Sequence, residues 1–177
     1  MADFKAFTGS SPAGLLRQLQ SPCAIAAAFD PAVLPHPPLH EFQAIWDTGA
    51  TNSSISQAVI DGCGLKPTGK AQVIGANSTD LCDTYLINLG LPNTVGIPSL
   101  RVTRLILSKG IDVLIGMDVI VRGDFAITNL GGNTVFSFCM PSYRRIDYVD
   151  ELQKLAKQQT NRPGFRNYNP HTPKKHK

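Results

Sequence analysis

Long apolar runs are missing from this chain: the only one near the N-terminus, Cys23 to Phe29, is seven residues long. A membrane-spanning helix needs about 20 such residues. The run also starts late and follows the polar Arg17-Gln18-Leu19-Gln20, unlike a secretory leader. The sequence therefore places the protein inside the cell, in the cytoplasm, without a membrane partner. Cysteine is sparse too: Cys23, Cys63, Cys82 and Cys139 lie far apart, with no C-x-x-C pair and no zinc spacing, and read as reduced structural thiols. His36 and His40 have the spacing of a helical metal pair, but Pro37 and Pro38 between them forbid that helix, so neither metal nor cofactor is expected. The matches to a glycosylation acceptor at Asn52 and Asn77 have no secretory route to make them meaningful.

What is present fits one domain and a tail. The chain has 177 residues, 42% of them hydrophobic, enough for a real core. Its net charge of +4 is uneven: residues 141–177 hold nine Lys/Arg and three Asp/Glu, or +6, which leaves 4 − 6 = −2 for the body. No aromatic-basic pattern accompanies that tail, so no nucleic-acid partner is expected. The divisions expected are an N-terminal segment over 1–21, a body over 22–140, and a C-terminal helix with a disordered basic tail over 141–177.

Short strand signals dominate the body. Ser10-Ser11-Pro12, with Leu15, Leu16 and Leu19 beyond, predicts a short helix. Strands are expected over 23–29 and 39–46, with the proline-rich 30–38 as a loop between them, then over 84–89, 99–107 and 111–115. A helix-like segment spans 54–61, capped by Ser53 or Ser54, with Ile55, Val59 and Ile60 inward. Residues 72–81 form a hairpin candidate around Gly75-Ala76-Asn77-Ser78. A short helix is expected near 118–121, a second hairpin turning at Gly131-Gly132, and an exposed helix over 147–160 with Val149, Leu152 and Ala156 on one side.

Two landmarks carry the chemistry. Ala44-Ile45-Trp46 delivers Asp47 into a tight turn of small residues, Thr48-Gly49-Ala50-Thr51-Asn52-Ser53. Downstream, Leu114-Ile115-Gly116 ends a buried strand that turns into a helix, and the separation is 116 − 47 = 69 residues. Together they resemble the retropepsin-like aspartic proteases, over about residues 23–139. The resemblance implies an all-β, closed barrel-like fold with one or two short helices, assembled as a homodimer and cutting peptide or protein substrates. It also implies roles: Asp47 catalytic; Thr48, Gly49 and Ala50 at the active-site turn and dimer axis; Leu114, Ile115 and Gly116 as support beside it; and Ile74, Gly75, Ala76, Asn77 and Ser78 in a flap over the substrate.

Peptide hydrolysis by carboxylates takes two of them, one ionised to draw a proton from water and one protonated to donate it. The sequence has one Asp-Thr-Gly and no Asp-Ser-Gly, so a second copy of the chain must supply the partner. Two departures stand out. Retroviral members carry an arginine after the downstream glycine and an acid after Asp-Thr-Gly-Ala, where this chain has Met117 and Thr51; both charges are lost together, which points to a bacterial or phage-like branch. Those members also end near the strand at 124–129, so the strand at 133–138 is additional and the dimer sheet is expected to be built differently. The competing reading is a dimeric peptide-binding or assembly module of the same fold without turnover. A thiol hydrolase using a cysteine with His36 or His40 has no motif behind it.

Overall fold

The structure is a computed structural model that describes residues 3–11, 14–30, 32–74 and 79–160. The chain divides into two units, Met1–Tyr143 and Arg144–Lys177.

In the first unit a strand β2 (Leu19–Ala27) pairs antiparallel with β3 (His40–Trp46), and β3 runs parallel to β8 (Val113–Ile115). The order continues through β4 (Ser54–Ile55), β7 (Val95–Arg104) and β6 (Thr79–Leu91) to β5 (Gly69–Ile74). Because β2 also pairs with β6, the six strands from β2 to β6 close on themselves, while β5 projects as the outer arm of a hairpin. The inward positions are aliphatic: Ile25, Ile55, Ile87, Leu89, Ile97, Val102, Val113 and Ile115 are all buried. Helix α1 (Gln57–Gly62) adds Val59 and Ile60 to that core, as the sequence predicts. Its N-cap is Ser56, not Ser53 or Ser54, and Ser56 makes no side-chain cap. The hydroxyls of Ser53 and Ser54 turn instead to Asp118 and Thr103.

A second sheet of three antiparallel strands has the order β1 (Lys5–Ser10), β10 (Val135–Met140), β9 (Asp124–Thr128). Its inner face presents Phe7, Phe136 and Phe138 to Trp46, which stacks on Phe125 at 5.1 Å between ring centroids. The β9–β10 connection turns through Gly131 and Gly132, both at positive φ (66° and 79°), where a Cβ would be strained. Strand β1 corrects the predicted N-terminal helix: Lys5–Ser10 pairs with β10, and Gly14–Gln18 is irregular, with Leu15 and Leu16 exposed. Pro12, which suggested the helix start, lies outside the described residues. Cys139 precedes a segment that ties back to β9, since the Ser142 hydroxyl and the Tyr143 N–H both donate to Asp124.

The second unit holds α3 (Tyr148–Thr160), started by Asp147, whose carboxylate accepts the Asp150 N–H at 3.2 Å. Lys154 pairs with Asp150 one turn earlier at 2.7 Å. The tail beyond 160 lies outside the described residues. Among the described residues no helix is long and apolar enough to cross a membrane.

Candidate active site

Strand β3 lies between β2 and β8 in the barrel wall, so its end is held on both sides by neighbours, and Asp47 is the first residue past it. Its N–H donates to the Ile115 carbonyl at 2.9 Å, extending the β3–β8 ladder by one bond. The chain then turns on Asp47's own side chain: Oδ1 accepts the Gly49 N–H at 2.8 Å, and the Asp47 carbonyl accepts the Ala50 N–H at 3.3 Å. A Cβ on Gly49 would sit 3.2 Å from that carboxylate oxygen, so the small residue lets the turn close tightly. Thr48 and Gly49 are exposed, and Asp47 and Ala50 are half-buried.

The far side of the turn is clamped to the segment after β8. Met117 N–H donates to the Ala50 carbonyl at 2.8 Å and Asp118 N–H to the Thr51 carbonyl at 3.1 Å. Gly116 passes so close that a Cβ there would lie 2.7 Å from the Asn52 carbonyl carbon. The structure thus brings Leu114, Ile115 and Gly116 against the Asp47 turn. Sequence reasoning missed the two side chains that fasten this contact. The Asp118 carboxylate accepts the Ser53 N–H at 3.0 Å and the Ser53 hydroxyl at 2.7 Å, and that hydroxyl accepts the Gly116 N–H at 3.0 Å. With Thr51 and Met117 uncharged, a carboxylate bonded to a serine and its backbone does the fastening. The signal was a lone Asp two residues after the glycine, which reads as an ordinary first-turn helix acid.

Asp47 opens into a cleft of about 410 Å³ whose walls include Arg17, Trp46, Thr48, Phe125 and Ile127. Among the described residues lining it, Asp47 is the only carboxylate. Of the expected flap, Ile74 ends β5 and is 80% exposed, whereas Gly75, Ala76, Asn77 and Ser78 lie outside the described residues. Among the described residues no group of three or more His, Cys, Asp or Glu is placed to hold a metal. The Cys23 thiol is held as a structural group: burial, reinforced by the charge of Asp112, pushes its pKa up to about 12, and burial alone raises that of Cys63.

Residues 40–119, which contain both landmarks and the clamp, match the family model described as aspartyl protease. Over those residues the chain is similar to the aspartyl protease family. Among solved structures it is similar to a retropepsin-like aspartic protease from Rickettsia conorii, at 14% identity over 79% of this chain and 98% of that one, with a TM-score of 0.45. It is also similar to the retroviral protease-like domain of Ddi1 from Leishmania major, at 19% identity over 69% of this chain and 95% of that domain, with a TM-score of 0.42. No curated protein matches it.

Proposed function

We propose that the protein is an aspartic endopeptidase that hydrolyses peptide bonds at a site shared by two copies of the chain. The observation that carries this reading is Asp47 itself, fixed at the mouth of a cleft by its turn and by the Asp118–Ser53 clamp, with no second carboxylate on the cleft wall among the described residues. A two-fold axis beside Asp47 supplies the missing acid. Two carboxylates held that close share one proton. The ionised member draws a proton from a water between them as the water attacks the scissile carbonyl, and the protonated member donates to the carbonyl oxygen. Exposed Thr48 and Gly49 then face their copies, the threonine hydroxyl offering a hydrogen bond and the glycine allowing close approach. The β5–β6 hairpin, whose first strand ends at the exposed Ile74, covers the bound peptide. The four free thiols suit an intracellular setting.

The test is cleavage of a peptide library by wild type and by Asp47→Asn, which keeps the shape and removes the acid. Wild type should cleave and Asp47→Asn should not, while both sediment as dimers. Activity of wild type should trace a bell against pH, because the pair loses its base when doubly protonated and its acid when doubly ionised. Peptide binding by both proteins with cleavage by neither would identify a non-catalytic binding module instead.

A further inference from the structure

A second cleft, of about 370 Å³, lies between the Asp47 turn and the flap hairpin. Its floor is one face of three adjacent strands. Alternation along β7 puts Ser99, Arg101 and Thr103 on the same side, and the registers Thr84↔Thr103 and Gly69↔Thr84 carry that face across β6 to β5. Asn52, five residues past Asp47, and Arg122, just beyond α2 (Met117–Ile120), also border it. Most of the lining residues are polar, and their charges do not cancel. Asp118 is engaged with Ser53, and Arg122 donates through Nε to a backbone carbonyl, that of Asp118, at 3.0 Å. Among the described residues neither Arg101 nor Arg122 forms an ion pair, the pairs present being Lys5–Asp3, Arg145–Asp147 and Lys154–Asp150.

An independent feature also points to a ligand. Thr84 lines this cleft at 1% exposure, and its hydroxyl has no hydrogen-bond partner among the described residues. Buried hydroxyls are ordinarily satisfied, so an orphan on the wall of a polar cleft marks a place where a polar group from outside fits. Two arginines without carboxylate partners select that group's charge.

We infer that this cleft receives the carboxylate of an acidic side chain on the peptide substrate, with Arg101 and Arg122 as its specificity-determining residues. The inference rests on the proposed peptidase reading for its substrate class, since Asn52 ties the cleft to the Asp47 turn and Ala71 ties it to the flap hairpin. The carboxylate enters beside Thr84, whose sealed hydroxyl turns toward the cleft to donate to it, and the guanidinium groups close over it from the rim.

The experiment measures binding, so it does not depend on turnover. Full-length Asp47→Asn protein is titrated with fluorescein-labelled peptides, C-terminally amidated to remove the chain-end carboxylate, in which Glu or Gln is scanned through each position. At one position Glu should bind about tenfold more tightly than Gln, with the preference shrinking as salt rises. Arg101→Gln and Arg122→Gln should each reduce that ratio, and the double variant should abolish it, with thermal unfolding showing that each variant is folded. Thr84→Val gives a second handle: it should raise the unfolding temperature of the ligand-free protein by removing an unsatisfied hydroxyl, yet weaken binding of the Glu peptide. Equal binding of Glu and Gln peptides at every position, no peptide binding at all, or a ratio that survives the double variant would overturn the inference. Glu-selective binding to Asp47→Asn together with absence of cleavage by wild type would sustain it while refuting the peptidase reading.

Discussion

Removing the Ser53 hydroxyl should loosen the Asp47 turn from the rest of the barrel, and the structure sets the size of the effect. In Ser53→Ala the Gly116 N–H loses its acceptor at 3.0 Å, and the Asp118 carboxylate loses a donor at 2.7 Å. Ser53 is fully buried, so water cannot readily replace either bond. An orphaned buried donor costs about 1–3 kcal/mol, and the lost charge-assisted bond adds roughly 1.5 more. A total of about 2.5–4.5 kcal/mol is expected, which for a unit of this size lowers Tm by roughly 7–14 °C. The assay is urea unfolding at one fixed protein concentration, followed by the fluorescence of Trp46, the chain's single tryptophan. Trp46 is buried against Phe125 beside the turn, so its emission should shift as that packing opens. Asp118→Asn keeps the volume of the partner and completes a double-mutant cycle. Because both changes break one network, their combined effect should fall short of the sum by about 1 kcal/mol or more. Ser53→Ala within about 0.5 kcal/mol of wild type, or strict additivity with Asp118→Asn, would refute the clamp as the device that holds the turn.

Gly116→Ala should be more damaging than an ordinary glycine-to-alanine change, because its Cβ would meet backbone of Asn52 at 2.7 Å; loss of soluble, folded protein or of peptide cleavage is the readout, and a folded, fully active variant would contradict the geometry. If the proposed shared site is right, adding excess Asp47→Asn chains and allowing exchange should lower cleavage as the square of the wild-type fraction, whereas a linear fall would mean that each chain works alone. A chain ending at Tyr143 should keep the unfolding midpoint of the full protein to within a degree or two, since Met1–Tyr143 is a unit in itself; calorimetry on both chains decides it. Stability should also fall with alkali. The Cys23 thiol keeps its proton in the fold up to about 12 but loses it near 9 once unfolded, so between those values the unfolded chain gains by ionising and the folded one does not. That slope amounts to at most a few kcal/mol, and Cys23→Ala should flatten it; an unchanged slope in the variant would assign it to other groups.

The sequence by itself determined the features that local chemistry imposes. An apolar run stopping at Asp47 can only deliver that carboxylate to a strand end, and the small residues behind it permit a turn closed on the aspartate's own oxygen. Gly116 was marked only through the family resemblance, and the structure supplies the reason, a backbone approach too close for a Cβ; Gly131-Gly132 was legible because positive φ suits no other residue as well. Tertiary structure decided what depends on a distant partner. Lys5–Ser10 carries one buried side chain, Phe7, too little alternation to announce a strand, and it becomes β1 only by pairing with β10 about 130 residues away in sequence. Ser53 looked like a helix cap because serine before a helix usually is one; its true partner, Asp118, is 65 residues on. The polar cleft was invisible for the same reason. Arg101, Arg122 and Thr84 are unremarkable along the chain, and only the pleat of β6 and β7 and the return of α2 beside the Asp47 turn put them around one space.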